Sequence, residues 1–327
     1  MNVSRLPVSL ADIEAAARRI EGVAVRTPLL RLPLPGDMYV KPESLQRTGS
    51  FKFRGAYNAL ASTPRKRIER GVVADSSGNH AQGVAAAASL LGVPATIVMP
   101  ENATPIKVER TASWGAEIVR CANSSDERQR VAAEIRVTRS LEYVPPFDDV
   151  RIIAGQGTVG LELIEALPEV ETVVVCVGGG GLISGVATAV KALRPGARVI
   201  GVEPELAADA QASLREGRIV SWAAEAVTRT ICDGVRTQAL GELTFATISA
   251  LVDEIVTVSD EAVLEAMRWL ALEAKLVVEP TGALTLAAVQ TGAVAIDGPT
   301  VLVVSGGNVD PALAARVLAP DETRDTG

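Results

Sequence analysis

A chain of 327 residues is long enough for two domains or for one large α/β domain. It is apolar-rich (48%) and aromatic-poor (3%), which suits buried parallel strands under closely packed helices. A net charge of −7 with no basic run argues against nucleic acid as the main partner. Three scattered cysteines without a CxxC pair exclude a disulfide scaffold or a zinc site and point to a reducing cytoplasm.

In chain order, Met1 to Ile20 carries charges at amphipathic spacing and no uninterrupted apolar run, so a signal peptide is not expected, and Asp12 to Ile20 reads as a helix. Arg26 to Leu30 is extended, Met38 to Lys41 a short strand, and Arg54 to Leu60 a helix with Lys52 at its start. An alternating stretch follows: strands at Gly71–Ala74, Pro94–Met99 and Glu117–Val119, and helices at Ala81–Leu91, Ile106–Trp114 and Asp126–Arg139. The prolines of Tyr143 to Asp148 break this rhythm and mark a domain junction. Gly155-Gln156-Gly157-Thr158 opens a helix to Leu167. Thr172–Val177 is a strand, Gly178 to Gly181 a loop and Leu182–Leu193 a helix. The uncharged run Thr172–Val190 is therefore cut by glycines and is not a membrane helix. Strands at Arg198–Glu203, Ile255–Val258 and Pro299–Val304 and helices at Asp260–Glu273 and Ala283–Thr291 complete the pattern, and Asp321 to Gly327 reads as disordered.

Three stretches carry chemistry. The chain has only six lysines, and Lys52 lies between Phe51 and Phe53 with Gly49 and Gly55 outside them. Apolar neighbours disfavour an ammonium ion, so this lysine is a candidate nucleophile or base, a role arginine cannot fill. The same spacing also suits a lysine whose stem lies on the rings and whose head is in water. Gly178, Gly179, Gly180 and Gly181, between a buried strand and a helix, form a candidate phosphate cradle, because backbone without Cβ atoms can close round an anion. It has no Lys-Ser/Thr, so a nucleoside triphosphate with Mg²⁺ is disfavoured, while a dinucleotide fold stays open with Glu203 one strand later. Ser76-Ser77-Gly78-Asn79-His80 stands where a strand ends and a helix begins, a place that suits a carboxylate. His80 is the only histidine and no G-x-S-x-G is present, which excludes a histidine metal cluster and disfavours a serine triad.

With Ser50-Phe51-Lys52-Phe53-Arg54-Gly55-Ala56, Asp233-Gly234-Val235 and Ser305-Gly306-Gly307-Asn308, these pieces occur in order over nearly the whole chain. In this the chain resembles the fold-type II pyridoxal-phosphate enzymes, in particular the threonine/serine dehydratase and serine racemase group. The resemblance implies a tryptophan-synthase-β-like α/β fold of two open, twisted, mostly parallel sheets flanked by helices. A large domain of residues 1–65 and 148–327 would hold the cofactor, and a small mobile domain of residues 66–147 would close over the substrate.

It further implies that Lys52 holds pyridoxal phosphate as a Schiff base and serves as base on one face. Phe51 would lie by the ring, Asn79 would bond its 3-oxygen, Gly178 to Gly181 would bind the phosphate, and Ser305 would bond the ring nitrogen. Ser76, Ser77, Gly78, Asn79 and His80 would hold the substrate carboxylate, with Ser77 facing the substrate from the side opposite Lys52. Glu203, Ala207 and Asp209 fall at the spacing of the family's cation site, for structural Mg²⁺, Mn²⁺ or Ca²⁺. Thr237 would shape the pocket for the β-substituent, and Arg128 could meet a second substrate carboxylate. The chain ends soon after the Ser305 motif, so a regulatory extension with isoleucine control is not expected. The expected activity is dehydration of L-threonine or L-serine to a 2-oxo acid and ammonia by a cytoplasmic homodimer. The alternatives are serine racemase, L-threo-3-hydroxyaspartate dehydratase and, outside the class, a non-catalytic nucleotide-binding regulatory module.

Overall fold

The computed structural model describes residues 6–319; the first five residues of the expected N-terminal segment and the expected disordered tail lie outside them. The elements are α1 (Leu10–Ile20), β1 (Leu30–Arg31), β2 (Met38–Pro42), α2 (Lys52–Ser62), α3 (Arg65–Ile68), β3 (Val72–Asp75), α4 (Asn79–Leu90), β4 (Ala95–Pro100), α5 (Pro105–Ala112), β5 (Glu117–Cys121), α6 (Ser125–Arg139) and β6 (Glu142–Tyr143). There follow α7 (Val150–Ala166), β7 (Thr172–Cys176), α8 (Gly181–Leu193), β8 (Arg198–Pro204), α9 (Asp209–Glu216), α10 (Ala224–Val227), α11 (Glu242–Leu251), β9 (Glu254–Val258), α12 (Asp260–Leu272), α13 (Pro280–Gln290), β10 (Thr300–Val304) and α14 (Pro311–Leu318).

Two sheets result. One has the order β1-β2-β10-β7-β8-β9 and is parallel except for the β1–β2 pair; the other has the order β5-β4-β3-β6 and is wholly parallel. The reading of buried parallel strands holds, since every residue of β7 and β10 is buried. In the larger sheet the chain leaves β7 toward β8, while β10 lies on the other side of β7. In the smaller sheet it leaves β3 toward β4, while β6 lies on the other side of β3. Open parallel sheets receive ligands at such switch points, outside the carboxyl ends of the strands. The loops there are Gly178–Gly181 and Ser305–Gly306 in one sheet and Ser76–Asn79 in the other.

Several boundaries differ from the sequence reading. Gly155-Gln156-Gly157-Thr158 does not open a helix. It lies inside α7, which starts at Val150 because the Asp149 carboxylate accepts from the N–H groups of Arg151 and Ile152. The glycines serve helix packing. A methyl group on Gly155 would stand 2.6 Å from Cα of Gly55 on α2, and one on Gly185 of α8 would stand 2.4 Å from N of Gly157. Gln156 then accepts from the Gly55 N–H at 3.1 Å, which locks α7 to the helix that carries Lys52. The segment read as a junction starts on the last residue of β6, a strand held to β3 by only two residue pairs and too short for a periodic signal. The short or weakly patterned helices α3, α9, α10, α11 and α14 were not expected. Among the described residues no helix is long and apolar enough to cross a membrane.

Candidate active site

Lys52 is the first residue of α2 and enters from an extended Ser50 that bridges to Gly306; the Phe51 N–H donates to the Ser305 carbonyl at 3.1 Å. The lysine is thereby tied to the loop after β10. Its Nζ donates to the Pro146 carbonyl at 2.7 Å and lies 5.2 Å from the centre of the Phe51 ring. Burial pushes its ammonium down to about 8, slightly opposed by Cys176, so the free amine is within reach near neutral pH. Lys52 as a whole is half-buried, and the alternative of a lysine with its head in water is set aside by the bond of its Nζ to Pro146.

Lys52 shares a pocket with Phe51, Phe147, Cys176, Gly178 to Gly181, Gly234, Val235 and Thr281. The glycine loop admits no side chains. A methyl group on Gly179 would stand 2.3 Å from the Phe147 ring and one on Gly178 3.0 Å from Cα of Val235, while Gly180 takes the left-handed φ of +89°. Gly181 is already the first residue of α8, and no side chain caps that helix. Its first-turn N–H groups are free to meet an anion. Ser305, 1% exposed, carries a hydroxyl with no hydrogen-bond partner. A buried, unpartnered hydroxyl costs about 1–3 kcal/mol unless a ligand satisfies it. Cradle, amine and orphan hydroxyl together fit a phosphorylated ring aldehyde.

The loop Ser76–His80 approaches from the other sheet. A methyl group on Gly83 of α4 would stand 3.2 Å from the Lys52 carbonyl carbon, so the start of α4 lies on the start of α2. No side chain caps α4 either, and space is open beside Gly78. Ser76 Oγ accepts from the Gly78 N–H at 3.2 Å; among the described residues Ser77 Oγ makes no hydrogen bond. The His80 ring is spent elsewhere. Its Nε2–H donates to the Val144 carbonyl at 2.9 Å, which fixes the tautomer. Burial, reinforced by Lys52, pushes its pKa down to about 3. His80 therefore has its backbone N–H, not its ring, to offer a carboxylate. Thr237 carries another buried hydroxyl without a partner. Arg128 Nε stands 3.5 Å from Asp75, whose other oxygen accepts from Tyr143 at 2.5 Å.

Asn79 is the main surprise. Its Nδ2 donates to Glu279 at 2.6 Å and its Oδ1 accepts from Asn308 at 2.7 Å, so one N–H remains for a cofactor oxygen. Glu279 went unnoticed in the sequence because a single acid before a proline at a helix start is an ordinary pattern. Burial, reinforced by Asp233 and opposed by Asn79, pushes its carboxyl up to about 8. The unfolded chain ionises Glu279 near 4.5 and the folded chain near 8, so within that interval the folded state holds the extra proton and loses stability as pH rises. Glu279→Gln in the cofactor-free protein is expected to remove that decline, roughly 5 kcal/mol over the whole interval. Thermal unfolding midpoints of both proteins across this interval check it.

Away from this pocket, Glu203 and Asp209 are fully buried. Glu203 accepts from the N–H groups of Ala210 and Gln211, whereas both oxygens of Asp209 lack partners. Burial pushes Asp209 up to about 7; burial and the Asp209 charge push Glu203 well above its ordinary value. An uncompensated carboxylate pair fits a hard cation.

Comparison with known proteins comes to the same place. The profile of a family described as "Pyridoxal-phosphate dependent enzyme" matches residues 20–306. The chain is 44% identical over 318 residues to the L-threonine ammonia-lyase of Thermotoga maritima, covering 95% of this chain and 78% of that one. It is 42% identical over 321 residues to the L-threo-3-hydroxyaspartate ammonia-lyase of Saccharomyces cerevisiae, covering 96% and 98%. The structure of maize serine racemase superposes with a TM-score of 0.90 at 36% identity, covering 95% of this chain and 96% of that one.

Proposed function

The chain belongs to the pyridoxal-phosphate dependent enzymes, and from that premise we propose that it is an ammonia-lyase converting L-threonine or L-serine to the 2-oxo acid and ammonia. The observation that carries the reading is the Lys52 amine, pushed down to about 8, in one pocket with the glycine cradle. Lys52 would hold the cofactor, with Phe51 beside the ring, Gly178 to Gly181 on the phosphate, Ser305 on the ring nitrogen and the spare Asn79 N–H on the ring oxygen. Bound there, pyridoxal phosphate supplies an electron sink for the bond broken at Cα.

The residues of the chain do the rest. The uncapped start of α4, with the N–H groups of Asn79 and His80 and the hydroxyl side of Ser76–Gly78, would orient the substrate carboxylate. Lys52 Nζ, held by Pro146, would take the Cα proton and return it to the β-hydroxyl, which would depart as water while the Cα–H electron pair forms the Cα=Cβ bond. Residues 66–147 would form the unit that closes. In support, Lys107 of α5 reaches Asp233 at 2.5 Å and Arg110 reaches Asn308 at 3.0 Å across the mouth. A homodimer in the cytoplasm is part of the same reading; the three cysteines are free and buried.

Two observations favour neighbouring activities. The unpartnered Ser77 hydroxyl is available as a second proton donor, as racemisation requires. The long Arg128–Asp75 contact leaves a cation that a second substrate carboxylate could take. Purified protein is therefore given L-serine, L-threonine and both 3-hydroxyaspartates, with 2-oxo acid and D-isomer followed together. Oxo acid from threonine or serine with little D-isomer supports the proposal. D-isomer accumulating faster than oxo acid makes Ser77 the deciding residue. Release from 3-hydroxyaspartate alone, lost in Arg128→Ala, replaces the substrate class. A colourless protein whose Lys52→Ala variant still binds a nucleotide would return the reading to a regulatory module.

Glu203, the Ala207 carbonyl and Asp209 would hold a structural Mg²⁺, Mn²⁺ or Ca²⁺, supported by the two orphan oxygens of Asp209. A cation at a hundred times its Kd is expected to add about 2.7 kcal/mol to wild-type stability and nothing to Asp209→Asn. Unfolding of both proteins in chelator and in excess cation measures the difference.

A further inference from the structure

Three hydrogen bonds meet on the amide of Asn308, in the loop between β10 and α14. Its Nδ2 donates to the Thr48 carbonyl at 2.8 Å and to Asn79 Oδ1 at 2.7 Å, and its Oδ1 accepts from Arg110 Nη1 at 3.0 Å. Two of these partners have a fixed polarity. A guanidinium only donates and a backbone carbonyl only accepts, so one amide orientation of Asn308 satisfies both. The loop before α2 is shaped around this side chain. Thr48 holds a left-handed φ of +65°, uncommon for a β-branched residue, and Gly49 holds +73°. A methyl group on Gly49 would stand 2.7 Å from Asn308 Oδ1, so glycine leaves the amide its place.

The Asn79 amide has no such anchor of its own. Its Nδ2 meets Glu279 at 2.6 Å, and burial pushes the Glu279 carboxyl up to about 8. A carboxyl that keeps its proton near neutral pH can give a hydrogen bond as well as take one, so Glu279 accommodates either face of the amide. Asn308 does not. It presents an N–H, which the oxygen of the Asn79 amide can accept and its nitrogen cannot. We propose that Asn308 is a positioning residue that fixes the orientation of the Asn79 amide and so leaves the second Asn79 N–H for the ring oxygen of the cofactor. The proposal rests on the assignment of Asn79 to that oxygen. With the amide reversed, its oxygen would take the place of the N–H groups and the ring oxygen would lose its donor. Arg110 stands on α5, so the same bonds tie this contact to a helix that joins β4 to β5 of the smaller sheet.

The test titrates cofactor into the apo forms of wild type and variants and reads the maximum of the visible band together with the apparent Kd. Leucine matches asparagine in shape but makes no hydrogen bond. Asn308→Leu is expected to displace the band in the same direction as Asn79→Ala and to raise the Kd by about 3- to 10-fold, the weight of one hydrogen bond. The double variant is expected to go no further than Asn79→Ala alone, because Asn308 acts through Asn79. Arg110→Met, at the exposed end of the bonds, is expected to give a smaller shift of the same sign, and it carries the test where Asn308→Leu fails to fold. A band moved by Asn79→Ala but not by Asn308→Leu, or not by Arg110→Met where that replaces it, overturns the role of Asn308 and leaves that of Asn79. Effects that add in full in the double variant make Asn308 independent of Asn79 and overturn it as well. A band and Kd indifferent to Asn79→Ala refute the assignment of Asn79 itself, and the proposal falls with it. A wild-type chain that takes up no cofactor refutes the wider reading of the pocket.

Discussion

A Lys52→Ala variant is expected to lose its yellow colour and to release 2-oxo acid more slowly by about 10³-fold or more, the loss that follows when a nucleophile and a positioned base are removed together. Nothing else in the pocket can replace it. The His80 ring is neutral and bonded to Val144, and the Cys176 thiol is held protonated. Lys52→Arg is expected to fail equally, because a guanidinium does not give up its proton near neutral pH. The fold has little at stake. Lys52 makes one side-chain hydrogen bond, to Pro146, so the cofactor-free variant is expected to lose no more than about 1–3 kcal/mol. The amine also predicts a pH dependence. Uptake of cofactor by the apo protein rises as pH approaches about 8, where the free amine becomes abundant, and then levels. Absorbance of the two variants and of wild type, with unfolding midpoints alongside, separates loss of chemistry from loss of fold. Retained colour and rate in Lys52→Ala would sink the assignment.

Arg54→Met, two residues further along the same helix, has the opposite signature: it is expected to cost about 3–5 kcal/mol of stability, the usual penalty for stranding a buried partner charge. Arg54 and Glu43 are both 0% exposed. The guanidinium grips Glu43 through Nε at 2.8 Å and Nη2 at 2.9 Å, and reaches Glu162 at 2.6 Å and the Thr158 hydroxyl at 3.2 Å. Lys41 joins the same cluster through Glu162 at 2.6 Å. Burial alone would push the Glu43 carboxyl up, but Arg54 and then Lys41 outweigh it and the net shift is down. Without Arg54 the carboxylate loses that compensation and must take up a proton or unfold the site. Adding Glu43→Leu to Arg54→Met is expected to recover part of the loss, since an apolar pair needs no desolvation. Denaturant titrations of the single and double variants measure the coupling; a single variant within about 1 kcal/mol of wild type would show that the cluster is not under the strain its burial implies.

What the sequence by itself determined was local and periodic. Apolar runs cut by glycine placed β7 and α8 with the glycine loop between them, alternating elements gave three of the four strands of the smaller parallel sheet, and the aromatic flanks of Lys52 pointed to a desolvated amine. These readings succeed because backbone freedom, strand burial and amine desolvation depend mostly on neighbours along the chain. Tertiary structure decided what depends on residues far apart. Gly155 and Gly157 were legible as a motif but not as the close approach of α7 to α2 and α8, which needs three helices in place. Asn79 was assigned to cofactor and substrate, whereas 200 residues further on Glu279 holds one of its hydrogens and Asn308 its oxygen. The Arg54–Glu43–Glu162–Lys41 cluster has no signature at any spacing. A side-chain contact between distant segments is fixed by the order of strands in a sheet, and that order is set by packing of the whole chain rather than by any one stretch of it.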